Sequence, residues 1–167
     1  MSEIFTPSKS AEIGDNRPAL VLDTNTVLAL WMFRDPALEK LRDWIEAGHC
    51  RLYSREDALG ELRRVLGYRQ FGLDEAAQQA IHCHYSSLLT PWAGPRKPST
   101  TDESACLPRC SDKDDQKFLE IAFEAPANHL LTRDKALLRL ARHRGLINRF
   151  TILAPERLLI AFASPST

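Results

Sequence analysis

In residues 19–30, ALVLDTNTVLAL, four apolar residues run straight into Asp23, Thr24 and Asn25 before a second apolar run begins. Ala19-Leu20-Val21-Leu22 has the length and character of a strand buried on both faces. A carboxylate at the end of such a strand costs free energy unless a hydrogen bond, a charge or a metal compensates it. Asp23 therefore needs partners, and the fold must bring them to this strand end.

Outward from that stretch, strands and helices alternate. The sequence predicts a strand over 19–23, a short helix over about 26–33, and a helix over 36–47 that opens with Pro36 and stops at Gly48. A strand over 50–54 leads into a helix over 55–68, with Ala58, Leu59, Leu62, Val65 and Leu66 on one stripe. A helix over 74–89 precedes a loop over 91–105, which is rich in Pro, Ser and Thr. A helix over 111–125, a strand over 128–132, a helix over 134–145, a strand over 150–154 and a helix over 155–163 complete the series. This alternation predicts an α/β fold: a three-layer sandwich with a central parallel sheet of four to five strands, helices covering both faces. Residues 19–163 read as a single domain behind a flexible leader over 1–18. In parallel sheets, sites lie at the carboxyl ends of the strands. Asp23 and Asp134 both fall there.

Composition narrows the class. The chain has 167 residues, 44% hydrophobic and 26% charged, as an ordinary globular protein does. No apolar run reaches the roughly 20 residues of a membrane span, and the leader lacks a basic-then-apolar signal pattern. The expected location is the cytoplasm, with no membrane partner. A formal net charge of zero argues against a large basic surface but permits local charge separation. Of the four cysteines, Cys106 and Cys110 have loose metal spacing, and His82-Cys83-His84 draws the eye. A zinc site would need a second well-spaced pair, so these read as reduced thiols, one or two of them buried.

Four acids invite comparison. Asp23 and Asp134 each follow a strand. Asp115 lies in the predicted first turn of its helix, where helical spacing puts it between Leu119 and Ala122 on the buried face, and Glu61 lies beside an apolar stripe. Each has a bland reading. Asp23 and Asp134 can cap helices, Asp112 with Asp115 resembles a capping-box variant, and Glu61 can be solvated. Their conjunction is more telling. Acids on or beside buried faces are uncommon, and clustered carboxylate oxygens are the ligand set for Mg2+ or Mn2+.

Together, VLDTNTVLAL, GELRRVLGYRQF, CSDKDDQKFLEIAFEAPANHLLTRDKALLRL and FTILAPERLL resemble a PIN-domain ribonuclease, over about residues 19–160. The subgroup is that of toxin components of bacterial toxin–antitoxin systems, related to VapC toxins. The resemblance implies a PIN-like fold and a Mg2+/Mn2+-dependent endoribonuclease, a hydrolase acting on phosphodiester bonds. It matches Asp23, Glu61, Asp115 and Asp134 to the family's metal-binding acids, Thr132 to a small hydroxyl residue near the site, and Asn25 to the polar residue after the first acid. It also implies an RNA substrate, an antitoxin protein lying in the acidic cleft, and a homodimer. The family's DPDD appears here as Asp112-Lys113-Asp114-Asp115, which removes a rigid turn and puts a lysine near the acids.

In that chemistry the metal polarises the phosphate and activates a water for in-line attack. Either Asp134 or Glu61 could orient the water instead of binding metal directly. Lys135, Arg139 and Arg142, at helical spacing, form a candidate phosphate track to which Arg133 and Arg144 add. The bland alternative is a solvated face balanced by Glu120 or Glu124. Trp92 can stack on a base or pack back on the core. Leu41, Trp44 and Ile45 can seat a partner helix or belong to the core. A non-catalytic PIN-like RNA- or protein-binding module is the second reading; loss of one acid would favour it, and all four are present. A haloacid-dehalogenase-type phosphohydrolase wants a second acid two residues after the first, where this chain has Asn25.

Overall fold

The computed structural model describes residues 14–94, 107–125 and 127–163. Strand β1 (Ala19–Leu22) is buried along its whole length and lies inside a four-stranded sheet. The other strands are β2 (Arg51–Tyr53), β3 (His129–Leu131) and β4 (Thr151–Leu153), in the order β2-β1-β3-β4, all parallel. Leu20 is in register with Leu52 on one side and His129 on the other, and Leu130 with Ile152.

Successive strand residues point to opposite faces, and the core divides accordingly. Leu20, Leu22, Leu52 and Leu131 pack with helix α1 (Thr24–Val27), the π-helical turn that continues it (Leu28–Met32), α2 (Glu39–Glu46), Tyr85 of α4 (Glu75–Leu88) and Leu158 of α7 (Pro155–Ala163). Ala19, Val21, Leu130 and Ile152 pack on the other face with α5 (Gln116–Glu124) and with Leu137 of α6 (Lys135–Leu138). Helix α3 (Glu56–Leu66) contributes Leu62 and Leu66 to the first cluster and Ala58 to the second. Fully burying each such leucine is worth about 1.5–3 kcal/mol relative to exposure. The predicted three-layer α/β sandwich is thus the observed architecture, with four strands. Gly48 ends the α2 region at φ 79°, a left-handed conformation that an L side chain would strain.

Several boundaries move, for local reasons. The first helix starts at Thr24 because Asp23 caps it. The predicted helix over 111–125 begins only at Gln116: Asp112 Oδ1 accepts the Asp114 N–H at 2.9 Å, a local turn that competes with helix formation. The predicted helix over 134–145 is α6 followed by two 3-10 turns, Arg139–Arg142 and Arg144–Leu146. It breaks at His143, whose extended backbone and Nδ1, accepting from Gly145 N–H, end the run.

Leu41 and Ile45 belong to the core, and Trp44 stacks between His49 and Phe162, so this face is taken from within the chain. Trp92 also packs back, donating to Ser54 O at 3.0 Å and meeting Tyr53 edge-on. His82 and His84 face different partners, Leu59 O and Glu46, and Cys50 and Cys110 are buried thiols. Cys106 and most of the predicted loop over 91–105 lie outside the described residues, as does most of the predicted leader. Among the described residues no helix is long and apolar enough to cross a membrane.

Candidate active site

From β1 the chain passes to β2 on one side, then crosses to β3 on the other. The carboxyl ends of β1 and β3 therefore flank a topological switch point, where open α/β sheets form their crevice. Asp23 ends β1, and its N–H donates to Leu131 O at 3.3 Å, tying the two strand ends together. Its Oδ1 accepts the Thr26 N–H at 2.8 Å, and its Oδ2 accepts the Thr132 hydroxyl at 2.5 Å. Thr132, fully buried, in turn accepts the Asp134 N–H at 2.9 Å. Asp134 Oδ1 caps α6, accepting from Ala136 and Leu137 N–H at 2.7 and 3.2 Å. The capping readings of Asp23 and Asp134 are thus realised. A carboxylate offers about four lone-pair sites, so capping leaves acceptor capacity.

Asp115 stands at the N-cap position of α5 with no side-chain capping bond, so the capping-box variant with Asp112 does not form. Glu61 projects from α3 with both oxygens engaged: Oε1 accepts the Thr24 hydroxyl at 2.7 Å, and Oε2 pairs with the Lys117 ammonium. Asn25 is exposed on the first turn of α1; Asp112 and Asp114 are exposed as well.

Electrostatics join these residues. Asp115 is pushed up to about 6, first by burial and then by the charges of Asp134, Asp112, Asp23 and Glu61. Burial raises Asp23 too; its hydrogen bonds from Thr132 and Thr26 oppose the shift, and Asp134 adds to it. Carboxylates from four elements thus share one field. As donors they suit a hard divalent cation in kind. Among the described residues, no three His, Cys, Asp or Glu side chains stand as a ready-made metal cage.

The basic track is rearranged. Lys135, Arg139 and Arg142 are all exposed, but they span α6 and a 3-10 turn and do not share one α-helical stripe. In 3-10 geometry Arg139 and Arg142, three apart, fall on one face. Glu120 and Glu124 do not balance them, because both bind Arg55 at 3.0 Å. Arg133 bonds Asp35 and Glu156, which commits it to an ion-pair group. Sequence reading missed Thr24 and Lys117. Thr24 follows Asp23 directly and could have been flagged; Lys117 meets Glu61 across 56 residues, which no periodicity marks.

The family model described as PIN domain matches residues 19–136, from β1 to the start of α6, and spans all four acids. No curated protein and no solved structure matches the chain. With well over half its length matched, and with the acids gathered at the switch point of a parallel sheet, the chain belongs to the PIN domain family, whose members are in general nucleases.

Proposed function

We propose that the protein is a Mg2+- or Mn2+-dependent endoribonuclease, cleaving single-stranded or structured RNA by in-line attack of water on the phosphodiester. Asp23, Glu61, Asp115 and Asp134 are its metal-site acids, with Thr132 and Asn25 beside them. The observation that carries this reading is the gathering of these acids about the carboxyl ends of β1 and β3, where Thr132 links Asp23 to Asp134 and where burial and the charges of Asp134, Asp112, Asp23 and Glu61 hold Asp115 above the ordinary carboxylate range. Such a cluster gains most from a cation. A bound divalent ion would polarise the scissile phosphate and lower the pKa of a coordinated water. Asp23 is preset for this by Thr26 and Thr132, and Thr132 links its carboxylate to the backbone of Asp134. Asp134 spends only Oδ1 on α6. The exposed Lys135, Arg139 and Arg142 supply a track for the RNA backbone.

The test is cleavage of labelled single-stranded RNA by metal-stripped protein given Mg2+, Mn2+ or EDTA, beside Asp23→Asn. Cleavage only with metal, and only by the wild type, is expected. Cleavage that persists in EDTA overturns the reading, and RNA binding without cleavage favours the non-catalytic module.

We further read the nuclease as the toxin of a toxin–antitoxin pair, a cytoplasmic homodimer restrained by an antitoxin. A free ribonuclease damages its own cell, and an inhibitor's arginine could meet these acids bidentately. Expression without a partner should slow growth, with Asp23→Asn relieving the effect. Harmless overexpression of an active wild type overturns the toxin part alone.

A further inference from the structure

Lys117 lies on the first turn of α5, two residues after Asp115, and its ammonium pairs with Glu61 Oε2. The pair is well withdrawn from water, the two side chains being 19% and 14% exposed. Nζ also lies 5.4 Å from the centre of the Phe118 ring, and the other Glu61 oxygen is held by Thr24. A pair so shielded is screened little by salt, and removing one partner leaves an uncompensated charge. Among the described residues, none of the other three acids is in an ion pair. Asp23 and Asp134 are held by hydroxyl and backbone N–H donors, and Asp115 sits in the field of its neighbours.

We propose that Lys117 is a positioning residue, the built-in counter-cation of Glu61. The acidic cluster then takes one divalent cation, held by Asp23, Asp115 and Asp134, and Glu61 stays outside its direct ligand set. This rests on the proposed metal site and adds its stoichiometry and the identity of the acid held back. The charge count favours it. Glu61 and Lys117 cancel, and three carboxylates remain for one divalent ion. Without Lys117, four carboxylates would match two. Glu61 then acts through Thr24, whose neighbour Asp23 is the most buried acid of the group.

The experiment is calorimetric titration of MnCl2 into the metal-stripped full chain. The wild type should bind one equivalent. Lys117→Met frees the Glu61 charge and should tighten Kd by about tenfold, the effect of one unit charge several ångströms away in a partly shielded site. Lys117→Arg keeps the charge and should stay within about threefold of the wild type. Glu61→Gln with Lys117→Met replaces the ion pair by two neutral side chains of similar size. Its Kd should also stay within about threefold of wild type, whereas Asp115→Asn should weaken binding by about tenfold or more. If Lys117→Met alone does not fold, the double variant carries the test. Two equivalents in the wild type, or a double variant weakened as much as Asp115→Asn, overturns the proposal and leaves the metal site standing. A wild type that binds no Mn2+ overturns both.

Discussion

Helices α3 and α5 meet at two charged clusters, and they are built in opposite ways. Near the start of α3, Arg55 binds Asp57, Glu120 and Glu124 at 2.7 to 3.0 Å. Further along, Glu61 meets Lys117 in the field of Asp115, Asp134 and Asp23. Both clusters have more acids than cations, so charge count does not separate them. Contact does. Each acid of the first cluster touches the same guanidinium, and Asp57 and Glu120 are also well exposed to water. Asp57 is held below the ordinary carboxylate range by Arg55, whereas Asp115 is pushed up to about 6 by burial and its fellow acids. The first is a finished ion-pair network. In the second, Asp23, Asp115 and Asp134 touch no cationic side chain among the described residues, the arrangement on which the proposed metal site rests.

Breaking each cluster should therefore give opposite signatures, and this is the largest expected effect. Asp23→Asn should cost cleavage about a hundredfold or more, since even residues outside the direct ligand set cost up to that. It should also raise the melting temperature in EDTA, because asparagine caps a helix as well as aspartate and removes one repelling charge. Arg55→Met should leave cleavage within a few-fold and destabilise the protein by about 1–2 kcal/mol, between the values for surface and buried pairs. Initial rates and melts of both variants decide it. If Arg55→Met costs as much activity as Asp23→Asn, the two clusters are not separate in function.

The comparison also marks what the sequence could say. The parallel sheet, β1 and the acids Asp23 and Asp134 were legible because strand ends are written locally, as an apolar run followed by a polar residue. The capping roles of those two acids were legible for the same reason. The start of α5 was not, because Asp112 turns the chain with its own side chain, a choice propensity does not reveal. The break at His143 likewise depends on one ring nitrogen accepting a backbone N–H. Lys117, Arg55 and Arg133 find partners on elements distant in sequence, so their roles follow from packing alone. Arg133 read as part of a phosphate track is a case in point: its charge is spent on Asp35 and Glu156.

The raised acids also set a pH dependence. Asp115 titrates near 6 in the folded chain against an ordinary 3.8, so the folded state holds a proton that the unfolded state has lost across that interval. Stability of the metal-free protein should fall as pH rises from about 4 to about 6 and level off above, with Asp23, also raised, adding in the same direction. Asp115 is only partly buried, so solvent screening keeps its share modest. Melts in EDTA across this range test the slope, and saturating Mn2+ should reverse it. A metal-free protein that gains stability between pH 4 and 6 through this cluster would contradict the electrostatic picture. The first cluster works the other way, since Asp57 is lowered and loses its contribution on acidification.

A smaller effect is expected at the basic track. Lys135→Gln with Arg139→Gln and Arg142→Gln should weaken RNA binding across sequences. Each lost single-strand phosphate contact should flatten the log–log salt dependence by about 0.7. Lys135 lies on α6 and Arg139 and Arg142 on the 3-10 turn that follows, so the size of the slope change reports how many of the three meet one strand. An unchanged salt slope marks an ordinary solvated face.

The smallest effect lies beneath the site and sharpens the contrast between satisfied and unsatisfied groups. Tyr85 of α4 is 2% exposed, and its hydroxyl lies near Ser54 but forms no well-shaped hydrogen bond among the described residues. It lines a cavity of about 10 Å³ with Thr24, Ser54, Leu22 and Phe118. Burial, opposed in part by Ser54 and aided by the charge of Asp23, keeps the phenol protonated well above its ordinary range, so ionisation offers it no relief. A buried hydroxyl without a partner costs about 1–3 kcal/mol, and removing it cleanly recovers part of that. Tyr85→Phe should therefore stabilise the protein by about 1 kcal/mol, read by urea denaturation, with Mn2+ affinity unchanged. The cavity is at the lower limit of the volume that holds one water. A loss of stability in Tyr85→Phe would mean that the hydroxyl is bonded, either to Ser54 directly or through a water that also reaches Thr24. With that water the hydroxyl shell of Glu61 would extend into the core, and the acidic cluster would be held from below as well as by Lys117.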